Sequence, residues 1–135
     1  VVRGLMLIMS VTGKILAKRA GVGFSAASLT VNPDYNIRLG TEYLRELLGR
    51  YGGSYPLVLA AYNAGPSRVD KWLETFGDPR TGQIDLIDWI ELIPIAETRN
   101  YVQRIMESVY VYRLRLKGIQ PQPSTDIHIA MAGRY

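Results

Sequence analysis

The 135-residue chain has no cysteine and a single histidine, His128. Disulfides, thiolate metal sites and a thiol nucleophile are therefore excluded, and a histidine-rich metal cluster cannot be assembled. Long hydrophobic runs are missing too, since no apolar stretch approaches the roughly 18 residues that a membrane-spanning helix requires. Neither β-type alternation of useful length nor an internal repeat is found, which argues against sandwich and solenoid architectures. Charge of one sign is only mildly in excess: sixteen Lys and Arg against twelve Asp and Glu give +4. An excess of that size, spread along the chain, suits an anionic partner, and nucleic acid or an acidic cell-wall polymer would each fit.

What remains is the composition of one soluble globular domain, 47% hydrophobic and 21% charged, long enough to bury a real core. The chain opens on Val1 with "VVRGLMLIMS". Arg3 followed by "GLMLIM" is shorter than a signal-peptide core and has no A-x-A-like cleavage site, so the start reads as an internal segment of a larger gene product.

Helical spacing organises most of the chain. "TGKILAKRAG" forms a first run, ended by Gly21 and Gly23. Asn32 can cap, and Pro33 can open, a second helix with an apolar stripe at Ile37, Leu44, Leu47, Leu48 and Tyr51, stopped by Gly52 and Gly53. Ser54 is the candidate cap of a third, whose "LVLAAY" is apolar nearly all round and so central. Pro66 and Ser67 restart the chain into "SRVDKWLETFG", with Val69, Trp72, Leu73 and Phe76 at helical spacing. "DPRTGQ" is a surface turn, and "IDLIDWIELIP" a short helix stopped near Pro94. Thr98, Val102, Ile105, Val109, Tyr112 and Leu116, spaced 4, 3, 4, 3, 4, predict a long amphipathic helix. From Lys117 the residues lose all period and read as an extended or mobile tail. The expectation is an all-α domain over 1–116, built from roughly five helices, with a tail over 117–135.

Most acids have a local explanation. Asp34 complements a helix N-terminus, and Glu42 and Glu46 share a polar face with Arg38, Arg45 and Arg50. Glu97 follows the apolar run "IPIA" near a helix start, with Tyr101 one turn later on the same face; it either completes that N-terminus or serves a site. Tyr62 and Asn63 carry the same ambiguity. Asn before Ala-Gly can be a C-cap, and Tyr can be core. Yet "AYNAGP" sets a phenol beside a carboxamide where a central helix emerges, and Ala64 and Gly65 leave room for an approach. Both side chains donate and accept hydrogen bonds, which suits a ligand rich in hydroxyls and acetamides, such as a sugar chain.

"AAYNAGPSRV", with "RGLMLIM" upstream and "IPIAETRNYV" downstream, resembles the soluble lytic transglycosylase (SLT) domain family, whose catalytic domain is goose-lysozyme-like and α-helical. The likeness runs from Gly4 to about Arg113. It implies cleavage of peptidoglycan between N-acetylmuramic acid and N-acetylglucosamine, without water, leaving an anhydro-muramic end. It also implies glycan strands rather than nucleic acid as partner, no metal or other cofactor, and a periplasmic or envelope location in a bacterium. By resemblance Tyr62, Asn63, Gly65, Glu97 and Tyr101 line the glycan groove, and Met6 and Met9 belong to its wall. The family's general acid/base, a Glu followed by Ser on a helix ahead of Gly-Leu-Met, is not among these residues, so none is assigned as catalytic and the lysozyme-like domain is expected to be N-terminally incomplete. Leu7 and Ser10 also stand where the family usually has Gln and Pro. The alternative is a noncatalytic glycan-binding or envelope scaffold domain.

Overall fold

A computed structural model describes the backbone of residues 2–3, 6 and 8–118, and the side chains of residue 6 and of 12–118. The all-α architecture is as expected, with seven α-helices among the described residues. The tail expected from Lys117 onward lies outside them from residue 119. The chain divides into two compact units, Val1–Arg50 and Tyr51–Tyr135.

In the first unit a two-residue antiparallel ladder pairs β1 (Val2–Arg3) with β2 (Ile8–Met9), too short to leave an alternating pattern in sequence. Then come α1 (Ser10–Arg19), α2 (Ser28–Val31) and α3 (Pro33–Arg50), with α1 and α2 both packed on α3. α2 is four residues long and below the reach of a periodicity argument. Asn32 caps α3 as expected, its Oδ1 accepting the Tyr35 N–H at 3.1 Å.

The buried face of α3 keeps most of the predicted stripe, with Leu47 and Tyr51 buried and Leu44 and Leu48 half-buried, but departs from it at Ile37. Asn36, Leu39, Gly40 and Leu47 are buried, whereas Ile37 is exposed. Leu39 is turned inward, where it forms a core cluster with Leu16, Ala17 and Leu29. A polar Asn and a glycine thus occupy the inner face, which a stripe of large apolar residues could not reveal.

The second unit contains α4 (Tyr55–Ala64), α5 (Pro66–Phe76), a single 3₁₀ turn (Pro79–Thr81), α6 (Leu86–Glu91) and α7 (Ala96–Leu116). α4 packs on both α5 and α7, consistent with its apolar circumference: Leu57, Val58, Ala60 and Ala61 are all buried. Ser54 sits at the N-cap of α4 but its side chain caps nothing; its carbonyl accepts the Val58 N–H at 3.0 Å. Asp78 caps the 3₁₀ turn and Asp85 caps α6, each through its carboxylate. The α7 stripe is buried at Thr98 and Val102, then shifts to Met106, leaving Tyr112 and Leu116 exposed. The packed part of α7 therefore lies at its N-terminal half.

Candidate functional site

The site residues of the second unit lie where α4 ends and α7 begins. Ala60 and Ala61 are fully buried on α4, which packs on both α5 and α7. Asn63 is not the C-cap. α4 runs on to Ala64, and Gly65 ends it with φ 96° and ψ 144°, its N–H donating to Ala61 O at 2.8 Å. A Cβ at Gly65 would meet nothing within 4 Å, so it is the backbone dihedral and not crowding that calls for glycine there. Pro66 then opens α5 immediately.

This turn is braced by Tyr51, read from the sequence as the last member of the α3 stripe. α3 stops at Arg50, and the Tyr51 side chain, 1% exposed, instead directs its hydroxyl to Pro66 O at 3.2 Å and to Asp70 Oδ1 at 3.0 Å. One phenolic proton serves one acceptor at a time, so the two contacts share it.

Asn63 is exposed, and its Oδ1 accepts a hydrogen bond from Thr98 Oγ1 at 2.6 Å across 35 residues of chain. Thr98 is 1% exposed, buried in the first turn of α7. The bond ties the Tyr62-Asn63 pair to the helix start that carries Glu97 and Tyr101. Glu97 is exposed in that first turn, where a carboxylate complements the helix dipole, and no side chain caps α7 at Ile95. Tyr62 and Tyr101 are half-buried. Burial pushes the Tyr101 phenol above its usual range, so the hydroxyl is protonated at neutral pH and can donate. Arg99 donates to Ile93 O at 2.8 Å.

In the first unit Met6 sits in the turn between β1 and β2, held by its backbone N–H donating to Asn36 Oδ1 at 2.7 Å. Asn36 Nδ2 in turn donates to Leu29 O at 3.0 Å. Met9 is the partner of Val2 in the ladder; its side chain, like all of Leu7, lies outside the described residues. Ser10 opens α1 in place of the proline that the family usually has there.

The structure thus places Tyr62, Asn63 and Gly65 at the end of α4 and Glu97 and Tyr101 in the first turns of α7, joins the two helices through Asn63 and Thr98, and sets Met6 on an anchored turn of the other unit. Thr98, Tyr51 and Asn36 were not singled out as site residues. The available signal for Thr98 was a hydroxyl at the head of an otherwise apolar stripe. A buried asparagine such as Asn36 left none.

The family model for the transglycosylase SLT domain matches residues 2–84. The soluble lytic murein transglycosylase of Escherichia coli is 37% identical over 111 residues, which cover 82% of this chain and 17% of that protein. Among solved structures, the 70 kDa soluble lytic transglycosylase of Escherichia coli superposes with a TM-score of 0.74 at 37% identity, covering 87% of this chain and 18% of the other. An inactive mutant of the lytic transglycosylase Slt from Pseudomonas aeruginosa gives 0.72 at 38%, with the same two coverages. The chain spans less than a fifth of the length of these proteins. With a family model matched over more than half of its residues, and relatives of this identity along most of its length, the chain belongs to the transglycosylase SLT domain family.

Proposed function

We propose that this chain is the glycan-holding part of a lytic murein transglycosylase domain that acts on peptidoglycan strands in the bacterial envelope. The observation that carries this reading is the Thr98–Asn63 bond, which joins the end of α4, where Tyr62 and Asn63 stand, to the start of α7, where Glu97 and Tyr101 stand. Such a set of donors and acceptors matches a polymer of hydroxyls and acetamides. The reaction it would serve is cleavage of the N-acetylmuramic acid to N-acetylglucosamine bond. In it, one carboxyl group first protonates the leaving oxygen and then, as carboxylate, takes the proton of the muramic hydroxyl that closes the anhydro ring. Two-carboxylate hydrolysis is a different arrangement.

No acid of these 135 residues precedes Asp34, and Glu97 is an exposed residue of a helix first turn. A positioned acid or base typically contributes about 10² to 10⁴ in rate, so the 135 residues alone are expected to hold glycan without cutting it. Murein sacculi incubated with the chain test this. Co-sedimentation without release of anhydro-muropeptides, read by mass spectrometry, is the expected result. Release of anhydro-muropeptides would show that the acid is among these residues after all, and failure to sediment would overturn glycan binding. The described residues include no helix long and apolar enough to cross a membrane.

A further inference from the structure

The Thr98–Asn63 contact does more than hold two helices together, because it fixes which end of the Asn63 carboxamide is spent. The carboxamide oxygen, Oδ1, faces Thr98 and accepts from its Oγ1 at 2.6 Å, within the O–H···O range of about 2.5 to 3.0 Å. The oxygen is directed to a residue 1% exposed, while Asn63 as a whole is exposed. The amide NH₂, on the other branch of the same planar carbon, is turned away from Thr98 and offers two donors to whatever occupies the surface.

We propose that Asn63 reads the acetamido carbonyl of an N-acetylated sugar as a hydrogen-bond donor, and that Thr98 is the positioning residue which commits it to that role. The proposal rests on the glycan reading above. The Gly65–Pro66 turn contributes by ending α4 abruptly after Asn63, and Tyr51 steadies that turn through Pro66 O. A carboxamide free to flip could satisfy either the carbonyl or the N–H of an acetamide, or a hydroxyl. One whose oxygen is already engaged selects for an acceptor. Buried in the first turn of α7, Thr98 meets no ligand itself; it acts through Asn63.

The test is a titration of the 135-residue chain with chitotetraose and with cellotetraose, two neutral β-1,4 tetrasaccharides that differ at the acetamido group, followed by ¹H–¹⁵N NMR including the side-chain NH₂ of Asn63. Chitotetraose is expected to shift the Asn63 side-chain NH₂ resonances and to bind more tightly than cellotetraose. Thr98→Val keeps the shape and removes the hydroxyl; it should reduce the preference for chitotetraose by about five- to tenfold, the effect of one hydrogen bond. Thr98→Ser should restore it. Asn63→Asp, at an exposed position, keeps the acceptor for Thr98, removes the donors and should lose the preference even if the valine variant were to fold poorly. If Thr98→Val and Asn63→Asp leave the chitotetraose preference intact, or the Asn63 NH₂ resonances do not move on binding, the donor role is overturned while glycan binding stands. If the wild-type chain binds neither sugar, the glycan reading falls and the proposal with it.

Discussion

Gly40 and Met6 are in such close contact that a methyl group added to the glycine would lie 2.6 Å from Met6 Cβ, 2.7 Å from Cγ and 2.8 Å from Cε. In an open helix, Gly→Ala is stabilising by about 1 kcal/mol. Here the obstacle includes the Met6 Cβ, which cannot move without the backbone of the β1–β2 turn. Gly40→Ala is therefore expected to reverse the usual sign and destabilise the chain by about 1 to 2 kcal/mol, as overpacking typically does. Urea denaturation of the single variant and of Gly40→Ala combined with Met6→Gly checks the cause: the second change should recover part of the loss.

Asn36 anchors the same turn by a different means. It accepts the Met6 N–H and donates to Leu29 O while 1% exposed. Asn36→Ala strips both partners in a place where water does not replace them, and the expected cost is about 2 to 3 kcal/mol. Thermal unfolding measures the total, and accelerated hydrogen exchange at the Met6 amide locates it.

Tyr51→Phe removes only the hydroxyl that Pro66 O and Asp70 share. A loss of about 1 kcal/mol is expected, with faster exchange of the Val69 amide, which donates to Gly65 O across the braced turn. An unchanged melting temperature would show that the phenol merely fills space.

Among the described residues, Asp78 supplies the one clear acid-side pH effect. Its carboxylate is held below the usual range first by the hydrogen bond from the Arg80 side chain, against a smaller opposing contribution from burial. The folded value is depressed, so the stabilisation is fully present above the unfolded value of about 3.9 and fades as pH falls through the lower folded value. The difference in stability between the wild type and Asp78→Asn should thus be flat above about pH 5 and shrink below about pH 4. With Arg80 side chain 36% exposed, solvent screening keeps the ion-pair part within about 0.2 to 1 kcal/mol. Denaturation curves at pH 3 and pH 6, in low and high salt, read it directly.

Local chemistry explains why the helix starts and stops were legible in the sequence. Asn32 caps α3, Pro33 and Pro66 open helices, Gly65 and Gly77 close them, and each acts within one turn of itself. The all-α class and the family followed from residues close together in the chain, as did the choice of Tyr62, Asn63, Glu97 and Tyr101. Tertiary structure decided what the period of 3.6 leaves open, namely which of two adjacent faces turns inward and which helix meets it. Ile37 lost its place to Asn36 and Gly40 because α1 and α2 pack on that side, and Tyr112 and Leu116 stayed exposed because the buried face of α7 lies in its N-terminal half, at Thr98, Val102 and Met106. The link from Thr98 to Asn63 spans 35 residues, and a hydrogen bond across that distance leaves no trace in local spacing. Sequence alone determined that Asn63 stands at the end of a central helix; only the packing of α4 against α7 decided which side of its amide faces out.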